Sequence, residues 1–496
     1  MRHSAKQYDL LFYPKRCRAY SVSFRESGYS PAGERQDLAR GMVANVAVDE
    51  ARVRNDFDRV SIFQRPVFNA TWDKTERRWI NLTEQGEEGF SFSPTEPYRE
   101  VVYRCRPFWY RVEMDGESAP SFVSVSEYPL EGYTLAPMFK NGQDFVYRPC
   151  FELALGEEGL PHSRAGLCPL KANAKRLMES VRQYDACAGT ERAAEWFSDL
   201  LLLWVEFATR DLQNVMRGFT RIGLSKTSIH HNPYNNDTLY AFMLEEEDDR
   251  KCFSVGSILK VTGCLTGNLI ADQVPVIDIW DLGEDTPSHF VVVDCKNVHT
   301  DRLGVDEHND KEAVTLEVVG MMTGAALPCV KNASSGAHEY LDSGSHAIVW
   351  RGKENPWGNL SSLICDMRIA RRKVDGVTTA NILRLESLGD WSENRGAEWK
   401  EIAVNSPAIS GSYIKSFVAD PERPWYMIPG EIAQYGARYH CAYFTAGIGE
   451  NLSCFYGAMH QYSGALNPSA MFFYETAMSA AVYHGGARLV LHEGGV

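Results

Sequence analysis

The residues best suited to contact chemistry lie at the C-terminal end. From Ala437 onward the only charged side chains are Arg438, Glu450, Glu475, Arg488 and Glu493, and Tyr, Ser, Gly, Asn, His and Ala dominate. That vocabulary suits recognition. Tyrosine supplies rigid amphipathic contact area at low entropic cost, while Ser, Gly and Asn supply adaptable hydrogen bonds. The same composition also suits a core of small residues and aromatics, and Met471-Phe472-Phe473 reads as buried.

Signatures of catalysis are absent. The chain has no Gly-x-x-x-x-Gly-Lys-Ser/Thr loop, no Gly-x-Ser-x-Gly elbow, no His-Glu-x-x-His helix and no Gly-x-Gly-x-x-Gly after a strand. Gly447-Ile-Gly449 is too short a match to count. The acidic run Glu245-Glu-Glu-Asp-Asp249 reads as a solvated loop. The His230-His231 pair has no third ligand at a recognisable spacing, so a metal role is not favoured. Twelve cysteines without a Cys-x-x-Cys pair read as buried free thiols in a reducing compartment. No enzymatic activity is expected.

One carboxylate stands out. Ala194, Phe197, Leu201, Val205, Ala208 and Leu212 recur at intervals of three and four and predict a helix over Glu191–Met216, which Trp196, Leu200, Leu203, Trp204 and Phe207 make apolar on most sides. Glu206 sits inside it. A carboxylate in such surroundings needs a partner, and Arg210 at i+4 is the local one.

The elements that must hold these residues read as follows. Leu170–Val181 predicts a second helix. Val101–Glu113, rich in β-branched and aromatic residues and followed by Asp115-Gly116, predicts a strand entering a hairpin. Between Leu224 and Ala347 helical periodicity gives way to short apolar stretches, Cys252–Thr262, Val274–Trp280, His289–Val293 and Ala313–Met321. Turn-rich segments such as Asn232–Asp237 and Leu282–Pro287 separate them, so this region predicts an inserted β domain. After Trp350 short strands and glycine-rich loops continue to the end.

The whole chain has 496 residues, 44% of them hydrophobic, and a net charge of −14. It is long enough for two to four domains at roughly 100–200 residues each. The acidity disfavours a nucleic-acid partner bound through phosphate neutralisation. No apolar run approaches the ~20 residues needed to cross a bilayer, and Met1–Asp9 lacks a signal-peptide core, so a protein that neither inserts into membranes nor is exported is expected.

Several strings occur together in the order Phe108-Trp-Tyr110, Gly132-Tyr, Pro137-Met-Phe139, Leu201-Leu-Leu-Trp-Val-Glu-Phe-Ala-Thr-Arg-Asp-Leu-Gln-Asn214, Trp350-Arg-Gly-Lys-Glu-Asn-Pro-Trp-Gly-Asn359 and Gly485-Gly-Ala-Arg-Leu489. In that order they resemble tail-tip and tail-fibre receptor-binding proteins of tailed phages and prophages, which end in a C-type-lectin-like domain related to the formylglycine-generating-enzyme fold. The variable proteins of diversity-generating retroelements are members. The resemblance runs from about Phe57 to Val490 and is weak in the first 56 residues.

It implies an α+β protein: a C-type-lectin-like fold of short strands with two flanking helices, plus the inserted all-β domain. The implied boundaries are an attachment or assembly segment at 1–68, the first part of the lectin-like domain at 69–223, the β insertion at 224–347 and the second part with the variable region at 348–496. Trp350, Trp357 and the Gly-Ala-Arg-Leu ending become framework elements, and Glu206 with Gln213-Asn214 becomes part of a helix and loop scaffold. The implied ligand-facing residues are Tyr443, Phe444, Asn451, Ser453, Phe455, Tyr456, His460, Tyr462, Tyr474, Tyr483 and His484. Met459, Gln461, Met471, Glu475 and Met478 belong to the fixed framework if diversification applies.

The family usually has Cys-Asp where this chain has Cys441-Ala442, and Gly-Gly-x-Trp where it has Tyr456-Gly-Ala-Met459, so no metal or structural role is carried to those positions. No cofactor is expected, and Ca²⁺ is left open. The implied partners are a bacterial surface protein or glycan and other phage tail proteins, in a homotrimer on the virion, after synthesis in the host cytoplasm. A structural tail or baseplate component without receptor contact is the alternative. An enzyme of the formylglycine-generating type, using Cys441 and Cys454, is a further one.

Overall fold

The computed structural model describes residues 18–24, 31–48, 52–115, 119–186, 188–228, 238–244, 252–281, 289–305, 310–326, 334–337, 344–375, 377–392, 396–407, 412–433, 442–446, 453–459, 471–477 and 485–491. His230-His231, Asn232–Asp237, Glu245–Asp249, Leu282–Pro287 and Cys441 lie outside them.

Among the described residues the architecture is mainly β, with few and short helical stretches. This corrects the expectation of an α+β fold with two flanking helices. Helical spacing holds only over short stretches, and the aromatic and β-branched segments on either side of them become strands. Among the described residues the α-helices are Ala174–Tyr184 (α1) and Ala193–Phe207 (α2). α1 starts at Asn173, whose side chain accepts from the Arg176 amide at 3.0 Å. It turns Leu177, Met178, Val181 and Tyr184 inward. α2 is an interior element in which every residue but Trp196 and Phe207 is buried. Its apolar surface meets the strand Ala119–Ser126 on one side and Ser361–Val374 on another.

The predicted helix over Glu191–Met216 ends early. Ala208 adopts a left-handed φ of 51° and its amide closes on the Trp204 carbonyl. A separate 3-10 turn, Leu212–Asn214, follows, capped by Asp211.

Six sheets surround the helices among the described residues. A five-stranded sheet runs Gly33–Asp37, Tyr20–Phe24, Ala119–Ser126, Trp109–Asp115, Thr134–Leu135, and a four-stranded one runs Val146–Pro149, Arg99–Cys105, Val67–Asp73, Arg78–Glu84. The single strand predicted over Val101–Glu113 is thus two strands in different sheets. Pro107 lies in the gap between them and offers no amide to a ladder. The hairpin pairs Trp109–Asp115 with Ala119–Ser126.

Six antiparallel strands between Ser225 and Met321 form one sheet around a core of Phe242, Leu259, Val261, Val291, Val314 and Leu316. Ser335–Ala337 belongs to a different sheet, where it pairs parallel with Ala47–Val48 near the N-terminus. The largest sheet runs Trp399–Pro407, Val377–Leu385, Ser361–Val374, Ser453–Met459, Met471–Ala477, Ala442–Ala446, Ser412–Ala419, Met427–Ala433, with Gly485–Gly486 pairing parallel to Ser361–Ser362. Among the described residues no helix is long and apolar enough to cross a membrane.

Candidate functional site

The segment Trp350–Asn359 is the hub from which the site is built. Arg351, Gly352, Asn355, Gly358 and Asn359 all have positive φ, between 45° and 84°. These tight reversals send successive polar side chains into the interior in different directions.

The first to be met is Glu206 on α2, which is fully buried. Arg351 clasps it with Nη2 at 2.7 Å from Oε1 and Nε at 2.8 Å from Oε2. The Trp350 indole and the Asn55 amide, both at 2.9 Å, complete the set. Burial pushes the carboxyl up, but Arg351 and the two neutral donors win and hold it below the usual range. The partner is therefore Arg351 and not the nearby Arg210.

Lys353 serves a second cluster. Its Nζ lies 2.6 Å from Glu191 and 3.0 Å from Asp199. Asp199 also receives Arg65 at 2.6 Å and Arg148 at 2.8 Å, and Arg148 reaches Glu191 as well. Burial opposes ionisation of Asp199, yet the three cations keep it far below the usual carboxylate range. Arg65 lies with its guanidinium carbon 4.2 Å from the centroid of the Trp350 ring.

A third cluster joins the chain's far end. Asn355 and Asn359 both donate to Glu152, and the Leu360 amide donates to its other oxygen at 3.1 Å. Arg488, in the Gly-Ala-Arg-Leu ending, donates to the Asn355 carbonyl at 2.8 Å and the Cys150 carbonyl at 3.2 Å. Glu354 accepts from the Gly324 and Ala326 amides at 2.8 and 3.0 Å, and burial raises its pKa to about 7. Trp357 donates to the Met216 carbonyl at 2.6 Å. With both tryptophans and Arg488 fully buried, this hub ties α2, the N-terminal sheets and the last strands together.

A buried histidine that sequence reasoning missed is His162. It bridges Glu100 at 2.8 Å and Glu158 at 2.7 Å, with the Tyr184 hydroxyl donating to Glu100 at 3.1 Å. Burial alone would lower its pKa, but the carboxylates raise it. Glu158 and His162 are four residues apart, which is the only local signal. Glu100 comes from another sheet.

The predicted ligand-facing residues fall on three strands and the segments between them. Tyr443 and Phe444 lie in Ala442–Ala446, Ser453, Phe455 and Tyr456 in Ser453–Met459, and Tyr474 in Met471–Ala477. For these the structure describes the backbone. Asn451, His460, Tyr462, Tyr483 and His484 lie outside the described residues, as do Gln461 and Met478.

The register brings several of them together. Tyr456 stands opposite Tyr474 in an antiparallel pair, and Tyr474 stands opposite Thr445 in a parallel one. Tyr443 pairs with Phe472 and with Tyr413, and Phe455 pairs with Ile364. All three strands are interior to the sheet, hydrogen-bonded on both sides. Ser453–Met459 is paired directly to Ser361–Val374, which begins two residues after the hub.

Seven cysteines among the described residues are free thiols. Cys105, Cys150, Cys252 and Cys365 are buried, whereas Cys264 is exposed. No group of three or more His, Cys, Asp or Glu side chains among the described residues is placed to hold a metal ion. No protein-family model matches the chain, and no curated protein matches it in sequence.

Proposed function

We propose that this chain is a phage receptor-binding protein that presents the Tyr443–His484 region to a bacterial surface protein or glycan. The observation that carries the reading is the location of the nearly uncharged, tyrosine-rich sequence. It occupies three central strands of a sheet whose neighbouring strand is anchored by the buried hub. Such a frame holds contact residues in place before a partner arrives, which limits the ordering entropy lost on binding. The rich mixture of Tyr, Ser, Asn and His supplies shape and hydrogen-bond contacts without relying on charge.

Display of several copies on a virion raises the effective concentration of weak sites, so modest single-site affinity suffices. The direct experiment is saturable adhesion of fluorescently labelled full-length protein to intact cells from a panel of bacterial strains. Saturable binding to some strains and not others is the expected outcome. Uniform absence of binding favours a purely structural tail component.

A further inference from the structure

Beyond the tyrosine strands, a cavity of about 460 Å³ opens beside the hub, lined among the described residues by Arg65, Arg104, Arg106 and Glu84, with Gln85 and Phe92. Its cationic wall is unusual. Arg104 and Arg106 are half-buried and have no carboxylate partner among the described residues. What holds them is one aromatic ring. Phe145 has the Arg104 guanidinium at 4.6 Å and that of Arg106 at 5.2 Å from its centroid, and Phe68 backs Arg104 at 5.0 Å. The ring contacts position the two guanidiniums but leave their hydrogen-bond donors unspent.

Behind them the buried Arg65 also borders the cavity. It spends Nη2 on Asp199, while its Nε and Nη1 have no hydrogen-bond partner among the described residues. Two like charges held against one ring, each without a paired carboxylate among the described residues, favour an anion in the cavity they line.

The rest of the rim adds no unpaired cation among the described residues, since Arg351 there is paired with Glu206 at 2.7 Å and with Asp58 at 3.2 Å. Glu84 and Gln85 are exposed there, with the half-buried Phe92 nearby. A bare phosphate or sulfate, which has only acceptors, meets repulsion from Glu84. A sugar acid fits both halves. Its carboxylate suits the arginine fork, its hydroxyls donate to Glu84 and accept from Gln85, and its C–H face suits Phe92.

We infer that this cavity is a binding site for an acidic sugar residue, formed by Arg104 and Arg106 for the carboxylate and Glu84 for the hydroxyls. The site goes beyond the receptor-binding reading and is independent of it, because it uses none of the tyrosine-strand residues.

The test is titration of the full-length protein with glucuronate, glucose and inorganic phosphate, followed by calorimetry or saturation-transfer NMR. The wild type should take glucuronate at least tenfold more tightly than glucose or phosphate. The Arg104→Gln/Arg106→Gln double variant should lose at least tenfold in glucuronate affinity, and Glu84→Gln should weaken glucuronate without weakening phosphate. Should the double variant fail to fold, Arg106→Gln alone carries the same expectation in smaller degree. No glucuronate binding by the wild type, unchanged binding in the arginine variants, or phosphate bound as tightly as glucuronate overturns the proposal. Adhesion altered by Tyr456 or Tyr474 variants with glucuronate binding intact separates this site from the proposed receptor surface.

Discussion

Glu206 illustrates how one buried charge organises a large chain. With four donor contacts around it, the carboxylate depends on Arg351, which itself also reaches Asp58 at 3.2 Å and the Phe63 carbonyl at 2.8 Å. Removing one partner of such a pair strands the other charge in the core. Glu206→Gln should therefore lower stability by about 3–5 kcal/mol in denaturant unfolding. Glu206→Leu combined with Arg351→Met should recover part of that loss. A loss under about 1 kcal/mol in the single variant contradicts the anchoring role. Glu354 behaves in the opposite sense. Its pKa in the fold is raised from 4.5 to about 7, so its contribution is fully present below pH 4.5 and is lost as pH rises to about 7. Over that window Glu354→Gln should give a flatter plot of stability against pH than the wild type, and equal slopes count against the assignment. Of all this, the sequence revealed that Glu206 needed a partner, since its apolar helix admitted no other conclusion. It did not reveal which one, because Arg351 lies 145 residues away and only the tertiary fold brings it near.

At the scale of elements, the hub segment works through its turns. Gly358 has a φ of 83°, and a Cβ there would meet the Phe219 amide nitrogen at 2.7 Å. That neighbour is backbone and cannot swing aside. Gly358→Ala should lower the melting temperature markedly, equivalent to about 2 kcal/mol or more, whereas Gly86→Ala, at a similar φ with nothing near its Cβ, should cost about 1 kcal/mol. Similar losses at both sites mean that close packing at Gly358 adds nothing. Helix α1 was legible in its spacing and α2 in its apolar run. The end of α2 was not, because a left-handed alanine carries no sequence mark. The break at Pro107 was available in the sequence but was overridden by the aromatic run around it. The short apolar stretches between Leu224 and Ala347 did mark strands, since alternation and turn residues act locally. Their pairing order is set by distant contacts and left no local trace.

The whole molecule combines a rigid, ion-paired interior with an end region almost free of charge. The −14 net charge resides almost entirely before Ala437, so acidity belongs to the body and the tyrosine-rich strands are its neutral exception. The expected balance of helix and sheet was wrong because the resemblance supplied an α+β template, while the aromatic and β-branched content of the chain favours strands. The composition of the last strands was visible in the sequence, but their central place in the sheet, with Ala442–Ala446 and Met471–Ala477 paired in parallel, was not. We propose that these strands carry a recognition surface. The most direct measurement is the adhesion of labelled protein to a bound bacterial strain, compared between wild type and Tyr456→Ala/Tyr474→Ala, with melting temperatures recorded alongside. Adhesion at least tenfold weaker with the melting temperature held is the predicted result; adhesion unchanged in a folded double variant would contradict it.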